Sequence, residues 1–475
     1  MSERVTSRIA PASAEKRSSR NIGARIADAT TGGTIFPLWV RREHPSYSRM
    51  RRQLEQSQYW TAEQLAELQR NRLQRLLEHA VAACPFYRDR IRSAGLDVSR
   101  MTAEQFTSLP RLTKREIQDH QAELVARDFP EGSRVRNQTG GSTGSPLQFY
   151  VDRERFGTRM ASTHRHDAWA GIRPGQWLAY VWGARLDQLP QEGIWNRLRN
   201  SLLYRRIDLN TSCIADTDWM RFIDECRRKN PRHMIAYAQS AVLFAKYVRE
   251  NAVSGISFDS IITTAEVLLP EQRKLIEEVF CAEVFDRYGC REVSIIASEC
   301  EQHKGLHVNA EALLVEVVPD AALPKQIGKI LVTDLLNYSM PLIRYEIGDA
   351  ASWLPEQKCA CGRGLPLLSQ VQGRTTDFLS FRDRRVSGPA LTLVIADMKE
   401  IRQAQFVQTG DASVILRVVP GNSYSADTVK ELRSRMLRYL GADVALSVEE
   451  TQSIQSEASG KFRFVIHDVP AGQKQ

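Results

Sequence analysis

The sequence has no uninterrupted apolar run approaching the ~20 residues that a membrane-spanning helix needs, so an α-helical membrane protein is not expected. Its first residues lack the apolar core of a secretory signal, and a cytoplasmic protein with reduced thiols is the expectation. Eight cysteines follow no regular disulfide framework, which leaves free thiols or metal ligands. Acidic residues are scarce at the start: residues 1–52 hold eleven Lys/Arg and four Asp/Glu. That stretch carries +7 of the formal +9, so residues 53–475 are close to neutral. A basic leader can touch anionic surfaces, but the body has no basic groove and no nucleic-acid partner is expected. Internal repeats are absent. Two familiar phosphate-binding patterns are missing as well: no Gly-Lys-Ser/Thr closes a glycine-rich loop, since Gly144 is followed by Ser145-Pro146, and no Gly-x-Gly-x-x-Gly opens a helix.

What is present is a 475-residue chain with 42% hydrophobic residues, enough for a large core and two or three domains. Its organising stretch is Gln138-Thr139-Gly140-Gly141-Ser142-Thr143-Gly144-Ser145-Pro146, set between strand-like runs at Arg134–Arg136 and Leu147–Val151. Glycines let backbone N–H groups converge, and hydroxyls add donors without bulk, so such a loop can wrap a phosphate. A flexible hairpin is the competing reading. Residues 1–35, rich in Ser, Arg, Ala and Thr, read as a disordered leader. Thr61 with Gln64, Thr102 with Gln105 and Thr113 with Glu116 are capping-box pairs that open helices, and Pro85 stops the first. Strand-like runs at Leu178–Trp182, Met234–Tyr237 and Ser260–Thr263 then alternate with helical ones at Ala241–Glu250 and Pro270–Phe280. Alternation of this kind predicts an α/β body with largely parallel sheets. The chain turns β-rich from Leu313 to Trp353, and beyond Arg374 a smaller α+β unit is expected, with a helix at Ala426–Leu440.

Further motifs follow in order: Thr264-Ala265-Glu266, Asp286-Arg287-Tyr288-Gly289-Cys290-Arg291-Glu292, Arg344-Tyr345-Glu346-Ile347-Gly348-Asp349, Gly373-Arg374-Thr375-Thr376-Asp377 and Ser459-Gly460-Lys461. With the glycine-rich loop they resemble, in order and spacing, the motifs of the adenylate-forming superfamily. Cys84-Pro85-Phe86-Tyr87-Arg88 and Leu109-Pro110-Arg111-Leu112-Thr113-Lys114 are similar to its phenylacetate–CoA ligase branch, which includes capsule-biosynthesis-type relatives. The resemblance covers about residues 50–470. It implies an adenylating domain at 36–373, with helical cap, α/β sheets and β-rich subdomain, and a small mobile α+β domain at 374–475.

The implied reaction is ATP-dependent activation of a small-molecule carboxylate to acyl-AMP, followed by transfer to coenzyme A. Thr139, Gly140, Gly141, Ser142, Thr143 and Gly144 would hold the phosphates. Glu292 would ligate Mg²⁺, a hard cation that takes carboxylate oxygen. Ala265, Glu266, Tyr288 and Gly289 would line the adenine pocket, and Asp349 would accept from the ribose hydroxyls. Arg374 would contact the nucleotide at the hinge, and Lys461 would bridge the carboxylate and the α-phosphate. The hinge departs from the family: Thr376 replaces an acidic residue, which weakens the case for thiol transfer and motivates an amine acceptor as the alternative. An inactive, zinc-containing binding protein is the alternative of another class. Cys300, Cys359 and Cys361 with one histidine suit tetrahedral, structural Zn²⁺. The spacing admits His303 or His307, and the family pattern selects His307. The identity of the acid and the oligomeric state, a dimer included, stay open.

Overall fold

The computed structural model describes residues 22–139, 147–182, 194–211, 216–321, 323–324, 326–371, 378–381, 385–387, 391, 395, 398, 400–421, 423–455 and 463–467. The architecture is α/β: a large sheet-and-helix body and a separate C-terminal sheet unit. The first hairpin pairs β1 (Arg134–Gln138) with β2 (Gln148–Asp152), and the glycine-rich stretch lies between them in sequence. Strands β3 (Leu178–Trp182), β4 (Arg206–Asn210), β5 (His233–Tyr237), β6 (Ser260–Thr264) and β7 (Glu283–Cys290) are mutually parallel in the order β4-β3-β5-β6-β7. β8 (Ser294–Glu299) and β9 (Leu306–Val308) extend the sheet antiparallel. β10 (Leu313–Pro319), β11 (Gly328–Asp334) and β12 (Tyr345–Ala351) form a separate antiparallel sheet, and β13 (Leu367–Leu368) returns to pair with β9.

Each parallel strand turns apolar residues toward the helices between them, which bury one face on the sheet, as crossover connections require. Ala179, Val181, Ile207, Leu209, Met234 and Ala236 point into one such core, against the helices Asp216–Lys229, Ala238–Glu250 and Pro270–Phe280. β3 leads outward to β4, and β5 then restarts on the other side of β3. The carboxyl ends of β3 and β5 therefore border a topological switch point, where open α/β sheets bind ligands. Trp182 and Tyr237 end these two strands with their rings 4.4 Å apart.

All three capping boxes form, at Thr61, Thr102 and Thr113. Each satisfies two orphan N-terminal donors and contributes on the order of 1 kcal/mol. The helical cap they open is tied to the body by Leu112, whose N–H donates to the Arg344 carbonyl while its carbonyl accepts from Glu346 N–H. Arg344 itself, first residue of a quoted motif, is buried; it pairs with Glu316 and donates to the Thr107 and Leu109 carbonyls. Its place in the motif is thus a structural tie.

The helix Arg153–Trp169 was not anticipated, because it has no apolar stripe for periodicity to detect. It is buried through charge: Arg155 pairs with Asp334 at 2.8 Å, Arg165 with Glu311 at 2.8 Å, and Arg287 reaches across to Asp167. Asp152, the last residue of β2, caps this helix by accepting from Arg155 N–H at 2.6 Å and also accepts from Tyr338 N–H at 3.1 Å. The glycine-rich hairpin is thereby anchored to a rigid, internally paired helix.

Part of the expected disordered leader is ordered. Residues 22–35 are helical, and residues 1–21 lie outside the described residues. Arg205 pairs with Asp28 at 2.9 Å and donates to the Thr31 hydroxyl at 3.0 Å. Gly32 packs so closely on Pro174 that a Cβ there would lie 2.3 Å from its carbonyl oxygen. The composition looked disordered because it supplies few large apolar groups; a charge pair and a close glycine contact hold the segment instead.

The C-terminal unit has β14 (Phe378–Ser380) paired with β15 (Arg385–Ser387). Its main sheet joins β16 (Ile401–Gly410), β17 (Ser413–Pro420), β18 (Ala445–Glu450) and β19 (Val465–His467) in the order β18-β17-β16-β19. The helix Ala426–Leu440 covers it with Leu432, Met436 and Leu440, a separate core with Phe406 and Leu416.

Candidate active site

Three motifs meet beside the neck of the glycine-rich hairpin. Tyr288, on β7, donates its hydroxyl to Asp349 Oδ2 at 2.8 Å, on β12. Tyr345, also on β12, donates to Glu292 Oε1 at 2.9 Å, in the turn after β7. Arg291, next to Glu292, donates to the Gln138 carbonyl at 3.1 Å, at the end of β1. Thr139 closes the neck: its N–H donates to the Leu147 carbonyl at 2.9 Å and its hydroxyl oxygen accepts from Leu147 N–H at 3.0 Å. Two carboxylates, two phenols and the base of the loop thus form one polar constellation. Burial pushes both phenols well above their ordinary range, with Asp349 the next contribution at Tyr288 and Glu292 at Tyr345. Both tyrosines therefore stay protonated donors, fixing the carboxylates they face.

The glycines and strained residues of these motifs have local causes. A Cβ on Gly289 would lie 2.6 Å from the Ser294 carbonyl oxygen, where β7 and β8 approach across an irregular register. Ala265, directly after β6, sits at φ +69°. A non-glycine residue there is sparsely tolerated and clusters at ligand sites. Its neighbour Glu266 accepts from Gln239 N–H at 2.8 Å, at the start of the helix Ala238–Glu250. Ala265 and Tyr288 follow a paired row, Thr264 with Arg287, so both lie at the carboxyl edge of adjacent strands. The expected residues Gly140, Gly141, Ser142, Thr143, Gly144, Arg374 and Lys461 lie outside the described residues. Tyr345 and Arg291 lie within the sequence motifs without an assigned role, since spacing alone does not reveal which strand each side chain faces.

The second constellation is sulfur-rich. Cys300, His307, Cys359 and Cys361 place one ligand atom each within 4.8 Å of one another. Cys300 follows β8, His307 lies on β9, and the Cys359–Cys361 turn leads to β13, which pairs Leu367 with His307. The Cys300 and Cys359 sulfurs are 3.7 Å apart, and Cys361 Sγ is 3.3 Å from His307 Nε2. His307 Nδ1 faces the Leu365 carbonyl at 3.3 Å, which orients Nε2 toward the sulfurs. Burial pulls this imidazole down to about 4, so it is neutral and can act as a ligand. Gln302 and Arg363 donate N–H bonds to the Cys300 and Cys361 sulfurs, at 3.4 and 3.5 Å; the thiol of Cys361 is held below its ordinary range, while burial pushes that of Cys300 up. His303, left open by spacing, is elsewhere: it bridges Glu299 at 3.1 Å and Glu283 at 2.9 Å.

Residues 378–468 match the family described as the CapK C-terminal domain. Protein CapK of Staphylococcus aureus is 23% identical over 415 residues, 85% of this chain and 90% of that protein. Phenylacetate–coenzyme A ligase of Thermus thermophilus is 28% identical over 352 residues, 71% of this chain and 77% of that protein. A 2-hydroxyisobutyryl-CoA ligase, solved in its postadenylation state with an acyl-AMP, matches with a TM-score of 0.70 and 24% identity, covering 87% of this chain and 93% of that one. The chain thus has the fold of the adenylate-forming ligases and, over most of its length, is similar in sequence to CapK and phenylacetate–coenzyme A ligase.

Proposed function

We propose that this protein is an ATP-dependent ligase that converts a small carboxylic acid to acyl-AMP, releasing pyrophosphate, and passes the acyl group to coenzyme A. The observation that carries the reading is the joining of Tyr288–Asp349 and Tyr345–Glu292 at the neck of the glycine-rich loop. Activation of this kind is positioning plus charge neutralisation. Asp349 would accept from the ribose hydroxyls, while Tyr288 fixes its orientation. Ala265, Glu266, Tyr288 and Gly289 would border the adenine, and the loop from Thr139 to Gly144 would cradle the departing phosphates. Glu292, one oxygen held by Tyr345, would hold magnesium. When bound, that cation supplies charge neutralisation for the leaving pyrophosphate. Lys461 and Arg374 would act from the C-terminal side, on a unit at 374–475 that moves relative to the body at 36–373. The Cys300–His307–Cys359–Cys361 set would hold structural zinc, since its four protein ligands leave no open position.

The deciding experiment is acid-dependent pyrophosphate exchange over a carboxylate library. Exchange with a subset of acids is expected; none with any acid would sink the adenylation reading. Turnover with coenzyme A against a panel of amines then identifies the acceptor, and amine-dependent turnover alone would overturn the thiol.

A further inference from the structure

Large apolar side chains stand exposed on two adjoining helical segments beside β4. On the helix Ile194–Arg199 and the turn Asn200–Tyr204 that continues it, Ile194 is 70% exposed and Trp195 80%, with Leu198 and Leu202 also exposed. Positions 194, 195, 198 and 202 recur at helical spacing and share one face. Against this turn lie the helices Ile22–Thr30 and Phe36–Glu43: Trp39 and Tyr204 rings are 6.1 Å apart, and Arg205 pairs with Asp28. The helices Ile22–Thr30 and Phe36–Glu43 add Ile26 at 61% and Leu38 at 65% exposed. A scattered exposed leucine needs no account, but a tryptophan this exposed on an apolar helical face does.

The surrounding exposed charge is mainly basic, with Glu43 beside Arg42 the acidic exception. Arg41, Arg42 and Arg199 are exposed here, Arg205 and Arg206 are taken up by Asp28 and Asp208, and residues 1–52 net +7. Like charge disfavours a second copy of this chain as the occupant. Nucleic acid would satisfy the arginines but leave the isoleucines and leucines in water. An anionic bilayer surface satisfies both: headgroups take the arginines, and the shallow acyl boundary takes Trp195, Ile194 and Leu198. No helix among the described residues is long and apolar enough to cross a membrane, so this contact would lie in the interface plane. We infer that this protein docks reversibly on anionic lipid membranes through the Ile194–Tyr204 face and the adjoining leader helices.

The test is co-sedimentation of the full-length protein with vesicles of phosphatidylglycerol and phosphatidylcholine, and with phosphatidylcholine alone. Binding to the mixed vesicles, weakened by high salt, is expected. A Trp195→Ser, Leu198→Ser double variant, with an unchanged melting temperature, should bind on the order of tenfold or more weakly, because two buried apolar groups are lost. Equal binding to both vesicle types overturns the proposal. So does a folded double variant that binds as the wild type does, which would leave the leader charge alone responsible. Absence of vesicle binding, with a dimer that the double variant abolishes, overturns it in favour of a self-association face.

Discussion

Two polar constellations lie on the body of this protein, and they are built from opposite materials. Around Glu292 and Asp349 the donors are phenols and the acceptors carboxylates, gathered from β7, its following turn and β12. Around Cys300 the groups are thiols and one neutral imidazole, gathered from β8, β9 and the turn before β13. Hard oxygen donors suit magnesium and nucleotide, which come and go; sulfur and nitrogen suit zinc, which stays. The first would serve turnover and the second folding, so perturbing each should move different observables.

Removing the sulfur site should have the largest effect on stability. Cys359→Ser with Cys361→Ser should release about one zinc per chain and destabilise the fold by roughly 3 kcal/mol or more, because metal held there would contribute folding energy. Activity of the remaining folded fraction should persist. Metal analysis with thermal denaturation checks this, and a metal-free wild type of equal stability would count against the site.

On the oxygen side, Lys461→Ala should lower the adenylation rate on the order of 10²–10³, the loss of one strong electrostatic contact in the transition state, with ATP affinity and melting temperature nearly unchanged. Single-turnover formation of acyl-adenylate measures it; a wild-type rate would refute the assigned role. Asp349→Ala should weaken ATP binding by roughly 1.5–3 kcal/mol, the worth of a charge-assisted hydrogen bond. Calorimetric titration with ATP is the check, and an unchanged dissociation constant would remove the ribose contact.

The smallest effect sharpens the boundary between the two. His303 belongs to neither constellation; its hydrogen bond to Glu299 first, and then that to Glu283, raises it above its ordinary 6.5. A histidine raised in the folded state contributes stability that is present below pH 6.5 and lost as pH rises through the raised value. His303→Gln should therefore cost up to about 1 kcal/mol at pH 6 and almost nothing at pH 9. Denaturant titrations at both pH values decide it, and metal content should not change.

Where local chemistry and tertiary structure agree, the sequence was legible. The capping boxes at Thr61, Thr102 and Thr113, the helices Pro270–Phe280 and Ala426–Leu440, and the strands β3, β5 and β6 all follow from side-chain period and capping residues that act within one turn or strand. The helix Arg153–Trp169 escaped because it carries no apolar stripe: much of its buried face is charged, and the partners Asp334, Glu311 and Arg287 of Arg155, Arg165 and Asp167 are distant in sequence. The leader helix escaped for the same reason, its hold resting on Arg205 and Pro174.

By itself the sequence determined the α/β alternation, the order of the motifs and the chemical character of each candidate ligand, since these depend on residue type and short-range spacing. Only the tertiary structure brought His307 beside the three cysteines and set His303 against Glu299 and Glu283, made Arg344 a tie to the cap, and set Tyr345 against Glu292. Those outcomes depend on which strands become neighbours and which way each side chain faces. A one-residue change of register would reverse them without altering any local pattern.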